Sequence, residues 1–221
     1  MTIKKTARFA GLSYLSIIIF GIFSHIIVRG NIVVSNDSAR TAANMLSQET
    51  LFRMSIVSDL LMVLSYLGLG ICLYFLFKPI HKKSATVLLL LNVIGASMMA
   101  LNMSNQFIAL YLLKGSPYLT AFDTNQLQAG SLFFMNLHAI GYKMATISYG
   151  LWLIPMGYLG LKSKYFPKII SYLLIIGGAT YMISFFGTIL GAQIPSDLTI
   201  PADLGEFSLC FWLLIRGVKE N

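Results

Sequence analysis

Ionisable and amide side chains in this sequence lie inside long apolar runs or at their ends, where each needs a partner or a function. An ionisable residue at the centre of a membrane span costs roughly 2.5–3.5 kcal/mol on insertion scales. Counted from the ends of the runs, several of these side chains fall at one level. They are His25, Arg53, Asp59, Asn102, Gln106, His138, Tyr142 and Glu206. The sequence therefore predicts a polar pocket that is lined by several helices.

Three roles suit such a pocket. In the first, Arg53, Asp59 and Glu206 form the charged core of a site for a small or lipid-like molecule. The hydrogen-bonding wall of that site consists of Asn102, Gln106, His138 and Tyr142. In the second, an intramembrane hydrolase or isomerase uses Asp59 or Glu206 as acid or base together with His138. In the third, the charges pair and only hold helices together. We adopt ligand binding as the main hypothesis and the enzyme as the alternative.

Metal binding is the remaining chemistry to weigh. His25, Asp59, His138 and Glu206 would supply two imidazoles and two carboxylates, which are ligands of zinc or iron. However, no HExxH or HxxxH pairing places two of them on one helical turn. The sequence also lacks a P-loop and a dinucleotide-binding motif. We therefore predict neither a metal site nor any other cofactor, and a metal-dependent enzyme stays within the alternative.

The composition requires that membrane helices position these side chains. Hydrophobic residues make up 57 % of the 221 residues and charged residues 11 %, with a mean hydropathy of +0.76, whereas soluble domains carry about 25 % charge. Crossing a bilayer takes about 20 apolar residues, and runs this apolar must be helical because lipid cannot pair backbone groups. Six runs qualify, the sixth being the shortest: 7–28, 55–77, 85–113, 133–161, 169–190 and 204–218. We predict an all-α fold with one six-helix transmembrane domain over residues 1–221.

The distribution of Lys and Arg predicts the orientation. Eleven of the 16 basic residues lie at the termini and in the loops after the second and fourth runs, four lie in the other loops, and Lys143 lies within the fourth run. The positive-inside rule then places both termini in the cytoplasm and the polar level on the outer side. Because membrane loops explain the net charge of +8, we expect the lipid bilayer and no nucleic acid as partner. The sequence makes no prediction of the oligomeric state.

Several motifs resemble the domain of unknown function 4386 family, whose members are small bacterial multi-pass membrane proteins without an established activity. The motifs are Arg8–Leu15, Ala42–Glu49, Leu51–Arg53 with Asp59, Leu137–Tyr142, Gly150–Leu153, Phe166–Ile170 and Gly205–Gly217. The resemblance implies the bacterial cytoplasmic (inner) membrane as location. It also implies that recurring polar positions of the family match Asn44, Arg53, Asp59, His138 and Glu206. Asn44 therefore joins the candidate ligand-binding residues.

Overall fold

The computed structural model describes residues 2–195 and 197–218, and all regular elements in these ranges are helical. The α-helices are α1 (Ile3–Gly21), α2 (Gly30–Ile32), α3 (Ser38–Ser47), α4 (Glu49–Phe77), α5 (Lys82–Asn102), α6 (Ser104–Leu113), α7 (Thr124–Ser163), α8 (Lys168–Ile189) and α9 (Ile200–Ile215). A π-helical segment, Ile22–Arg29, joins α1 to α2, and a short 3₁₀ turn, Pro117–Leu119, precedes α7. The all-α prediction is confirmed for the described residues.

Five helical segments of the described chain are long and apolar enough to cross a membrane. They are Ile3–Ile32, Glu49–Phe77, Lys82–Leu113, Thr124–Ser163 and Lys168–Ile189. The protein is thus a multi-pass membrane protein by the length and composition of its helices. The predicted sixth span corresponds to α9, whose 16 residues extend about 24 Å. This is shorter than the hydrocarbon core of about 30 Å, so the count of six stays a prediction.

Two helices differ from the sequence prediction. Helix α3 lies in the segment between the first two spans, where no helix is predicted. Asp37 caps it by accepting a hydrogen bond from the backbone N–H of Arg40 (2.8 Å), which satisfies a donor that a helix start leaves open. Helix α7 is continuous over 40 residues and includes Pro155 and the polar residues before the predicted start at 133.

The described chain forms two compact units. Unit 1 takes in Met1–Ser16, Leu64–Ser97 and Lys143–Asn221. In this unit the helices approach closely at glycines: a Cβ at Gly177 of α8 would overlap the backbone of Ala202 in α9, and one at Gly11 of α1 would lie 2.6 Å from the backbone nitrogen of Leu214. Small residues at contacts are typical of membrane helices, where close packing replaces the hydrophobic driving force.

Unit 2 takes in Ile17–Val63 and Met98–Tyr142. Its buried apolar core draws on the end of the first helical segment, α3, α4, α6 and α7. The core residues are Val28, Ile32, Met45, Phe52, Ile56, Ala109, Leu110 and Met135. Met45 anchors α3 on this core, and Asn44 donates a hydrogen bond from Nδ2 to the carbonyl oxygen of Ile32 (3.1 Å).

Candidate functional site

A buried ion pair between Arg29 and Asp59 forms the centre of unit 2. The Arg29 guanidinium donates to both carboxylate oxygens, with 2.6 Å from Nη1 to Oδ2 and 3.2 Å from Nη2 to Oδ1. Asp59 is fully buried and Arg29 is 7 % exposed. Bidentate pairing of this kind is the geometry that best compensates the free energy lost when two charges leave water.

Gln106 of α6 completes the pair. Its Nε2 donates to Asp59 Oδ2 (2.8 Å), and its Oε1 accepts from Arg29 Nη1 (3.0 Å). The second hydrogen on Nε2 points to His138 Nε2, at 3.4 Å. Both the nitrogen and the oxygen of the Gln106 amide are therefore engaged, with three partners in all.

His138 of α7 continues this network to Asn102 at the end of α5. Its Nδ1 lies 3.3 Å from the carbonyl oxygen of Asn102, while the Nδ2 of Asn102 donates to the carbonyl oxygen of His138 (2.9 Å). A carbonyl can only accept, so Nδ1 carries the proton and Nε2 is free to accept from Gln106. The neutral imidazole with a proton on Nδ1 satisfies both contacts.

The π-helical segment supplies Ser24, His25 and Arg29 to this network. Arg29 Nη2 donates to the Ser24 hydroxyl (3.4 Å), and the two residues are five positions apart, which is the hydrogen-bonding period of a π-helix. His25 Nε2 lies 3.7 Å from Asp59 Oδ1 and is buried without a hydrogen-bond partner among the described residues. The His25 ring packs edge-on against Tyr142, with 4.7 Å between the centroids.

Arg53 lies outside this network and pairs with Glu49, one helical turn earlier on α4. Its Nε donates to Glu49 Oε1 (2.8 Å), and Lys114 Nζ donates to the other carboxylate oxygen (2.8 Å). The side chains of Arg53 and Lys114 are about half exposed, at 52 % and 48 %. Two cations thus share one carboxylate and leave one net positive charge.

These two cations lie at one end of a surface groove between α4 and α6, which we call the α4–α6 groove. Its volume is about 380 Å³, and it is lined by Arg53, Phe107, Ile108, Leu110, Tyr111 and Lys114. The Tyr111 hydroxyl accepts a hydrogen bond from Tyr118 (2.7 Å). The groove therefore combines an apolar wall with a phenol and a positively charged end.

Glu206 belongs to unit 1 and has a different partner. Tyr14 donates its phenolic hydrogen to Glu206 Oε1 (2.8 Å). Nearby in the same unit, Trp152 packs against the rings of Tyr14 and Tyr66, with centroid distances of 6.4 and 5.2 Å. The Tyr66 hydroxyl and Trp152 Nε1 are buried and have no hydrogen-bond partner among the described residues.

The structure thus divides the set of residues that the sequence selects. It brings Asp59, Asn102, Gln106 and His138 into one network, and it places Tyr142 against His25. Arg53 and Asn44 are in the same unit but form other contacts, and Glu206 is in unit 1. Within the described residues, no three side chains of His, Cys, Asp or Glu come together as metal ligands do.

Arg29 is the direct partner of Asp59, but it is not among the pocket residues that the sequence selects. Arg53 was predicted in the charged core because Arg53 and Asp59 both fall at the outer end of the second span. The spacing of Glu49 and Arg53 is a signal that could have redirected this choice, since opposite charges four residues apart on a helix pair with each other. Asp59 then needs a cation from another helix, and Arg29 directly follows the first apolar run.

One curated relative and one family profile match this chain. An uncharacterized protein of Archaeoglobus fulgidus is 27 % identical over 165 residues, which cover 75 % of this chain and 85 % of the relative. No solved structure matches the chain significantly. The profile of a family described as "Domain of unknown function (DUF4386)" matches residues 9–217, as the sequence motifs predict. Because this match covers nearly the whole chain, the protein belongs to the DUF4386 family.

Proposed function

We propose that the protein binds an anionic, lipid-like molecule in the α4–α6 groove. The observation that carries this proposal is the pair of half-exposed cations, Arg53 and Lys114, beside the apolar wall of the groove. A volume of about 380 Å³ lies within the range of roughly 300–1,000 Å³ of small-molecule sites. The excess positive charge favours an anionic headgroup, and the wall favours an alkyl chain.

The residues along α6 change from charged to apolar in the same order as the parts of an amphiphile at a membrane surface. Lys114 follows the helix end, Tyr111 lies one turn earlier, and Phe107 one further turn inward. Tyrosines concentrate at the level of lipid headgroups because their rings are apolar and their hydroxyls are polar. Phe107 and Ile108 are 49 % and 37 % exposed, so their faces are open to an acyl chain.

The buried network in unit 2 supports the groove by fixing its two walls. The hydrogen bond from Gln106 to Asp59 joins α6 to α4 (2.8 Å), and Phe107 and Leu110 of the groove follow Gln106 on α6. Asp59, Gln106 and His138 are at most 3 % exposed and are engaged with one another. We therefore assign them as positioning residues in this function.

The orientation in this proposal follows the charge distribution of the loops. Both termini and the basic loops would lie in the cytoplasm, α9 would form the sixth span, and the groove would open at the outer surface of the cytoplasmic membrane. An outer position fits Arg53 and Lys114, which are two of the four basic residues on the sparsely charged side.

Binding is favoured over the hydrolase or isomerase because of how the acidic side chains are held. A general acid or base must come within hydrogen-bonding reach of its substrate. Asp59 is fully buried and both of its oxygens accept from Arg29, while Glu206 accepts from Tyr14 in unit 1. A reaction at Asp59 would require its contacts with Arg29 to open first, and Glu206 already shares one carboxylate oxygen with the Tyr14 hydroxyl.

Lipid binding by purified protein tests the proposal. We expect native mass spectrometry to show retention of dioleoylphosphatidylglycerol in preference to dioleoylphosphatidylcholine, which has the same chains and no net charge. The double variant R53Q/K114Q should lose this preference, by about tenfold or more in relative binding, because charge-assisted hydrogen bonds contribute about 1.5–3 kcal/mol.

The matched control is R40Q, which removes one exposed cation from α3 of the same unit without lining the groove. It should retain the preference for the anionic lipid. If the wild type shows no preference, or if R53Q/K114Q keeps it, the α4–α6 groove is not a site for an anionic amphiphile.

A further inference from the structure

Lys143 is an exposed cation in the middle of the sequence of α7, and not in a loop. In the described part of the chain, no carboxylate forms an ion pair with it. The positive-inside rule accounts for basic residues in loops, so it does not explain this position.

A small cavity of unit 1 adjoins this lysine, and we call it the Lys143 pocket. Its volume is about 130 Å³, and it lies among α7, the end of α8 and the start of α9. The polar lining consists of Lys143, Thr146, Tyr181, Ser184, Thr188 and Thr199. The lining contains one ammonium and no carboxylate, so its charge favours an anion.

Some of these hydroxyls have their hydrogens engaged and others do not. Thr146 and Thr188 donate to the backbone carbonyl oxygens of Lys143 and Ser184 (2.6 and 2.8 Å). Within the described residues, the hydroxyls of Ser184 and Thr199 make no hydrogen bond, and Thr199 does not cap α9 with its side chain. Ser184, Thr199 and the Lys143 ammonium can therefore all donate to a ligand.

The size of the pocket limits the ligand to one functional group. A volume of about 130 Å³ exceeds the ~30 Å³ share of a single water molecule but falls below the roughly 300 Å³ at which sites for whole drug-sized ligands begin. A carboxylate or phosphate group fits this limit. The apolar lining residues Met144, Phe185 and Ile189 would contact whatever is attached to it.

The Lys143 pocket lies at the level along α7 and α8 at which a membrane surface is expected. Lys143 is 20 residues before Ser163 on α7, and Thr188 is 20 residues after Lys168 on α8, which is about 30 Å in each helix. This equals the hydrocarbon thickness. The pocket is thus one membrane thickness away from the basic loop that connects α7 to α8.

We infer that the Lys143 pocket binds an oxyanion group, a phosphate or a carboxylate, at the membrane surface opposite the α7–α8 loop. The Lys143 ammonium supplies the charge, and Ser184 and Thr199 supply neutral hydrogen bonds. This site is separate from the α4–α6 groove in its residues, and its ligand is a single charged group.

The test uses the full-length protein in a neutral detergent with two probes. Inorganic phosphate is titrated by calorimetry, and dioleoylphosphatidic acid is compared with dioleoylglycerol by native mass spectrometry. We expect at least one phosphate probe to bind, and K143Q to bind it about tenfold or more weakly. The double variant S184A/T199V should weaken binding to a smaller extent, since it removes neutral donors only.

The matched control is K162Q, which removes an exposed lysine from the other end of α7 and should bind as the wild type does. Binding of inorganic phosphate assigns the site to free oxyanions, whereas binding of phosphatidic acid alone assigns it to lipid headgroups, and either supports the inference. Binding of neither probe by the wild type, or unchanged binding by K143Q, would overturn it. The phosphatidic acid comparison is made in the R53Q/K114Q background, which lacks the cations of the α4–α6 groove, so that K143Q changes only the Lys143 pocket and the two proposed sites fail independently.

Discussion

Asp59 shows how a carboxylate is accommodated in the apolar interior of unit 2. Its two oxygens accept from Arg29, and Oδ2 also accepts from Gln106. Removing one partner of a buried ion pair lowers the free energy of unfolding by far more than the intact pair contributes to it, because the remaining charge is left without compensation. The stability of unit 2 should therefore depend on Asp59 and Arg29 together.

We predict that Asp59→Asn lowers the stability of the protein by about 3–5 kcal/mol, because it leaves the Arg29 guanidinium buried without its anion. Thermal unfolding in a neutral detergent, followed by circular dichroism, measures this change. Glu49→Gln is the matched carboxylate-to-amide control on the same helix, and it should unfold close to the wild-type temperature because that ion pair is exposed.

The double variant Asp59→Asn with Arg29→Gln separates charge from packing. It removes both charges, so it should recover part of the stability that Asp59→Asn loses. If Asp59→Asn unfolds at the same temperature as the wild type, the network contributes nothing to the stability of the fold.

At the scale of elements, the π-helical segment determines which side chains meet Asp59. Ser24 and Arg29 contact each other although they are five residues apart. In an α-helix, residues three or four apart share a face, whereas those five apart do not. The wider turn of Ile22–Arg29 therefore brings Ser24 into line with Arg29, which agrees with the frequent occurrence of π-turns at functional sites.

In unit 1, glycines set how closely the helices approach. We predict that Gly177→Ala destabilises the protein by about 1–3 kcal/mol, as overpacking does, because the new Cβ would overlap the backbone of Ala202 in α9. The midpoint of thermal unfolding is the measurement. Gly30→Ala is the control: a Cβ there would meet the carbonyl oxygen of His25 at an ordinary 3.6 Å.

Gly30 also has helical backbone angles, so alanine should be tolerated there or should stabilise slightly. Equal unfolding midpoints for Gly177→Ala and the wild type would mean that α8 and α9 can separate without cost.

At the scale of the whole molecule, the number of membrane crossings depends on α9. Five segments meet the length and hydropathy of a span, while α9 is several residues short. Pairing with α8 through Gly177 gives α9 a protein surface to pack on, so it does not have to be stable alone in lipid. We therefore keep the prediction of six spans.

Cysteine labelling in bacterial cells tests this topology. In a background with Cys72 and Cys210 replaced by alanine, a cysteine appended after Asn221 should react with a membrane-impermeant maleimide only after the cells are permeabilised. Arg40→Cys on α3 is the control, and it should react in intact cells. Labelling of the C-terminal cysteine from outside would show an odd number of crossings and contradict the six-span prediction.

The amino-acid sequence by itself determined the class of this protein and most of its helices. A chain with 57 % hydrophobic and 11 % charged residues can satisfy its backbone in lipid only within helices, so long apolar runs locate the spans without any tertiary information. The sequence also selected Asp59, Gln106 and His138 as unusual, because polar groups inside such runs are costly wherever the helices pack.

Only the tertiary structure decided which of these residues are partners. Arg53 is six residues before Asp59, whereas Arg29 follows another apolar run. Which of the two meets Asp59 depends on the rotation of each helix and on the π-turn, which shifts Arg29 relative to the α-helical period. Glu206 likewise pairs with Tyr14 in unit 1 because helix packing, and not depth alone, brings side chains within hydrogen-bonding distance. Depth in the membrane follows from counting residues along one helix, whereas contact requires the relative placement of several.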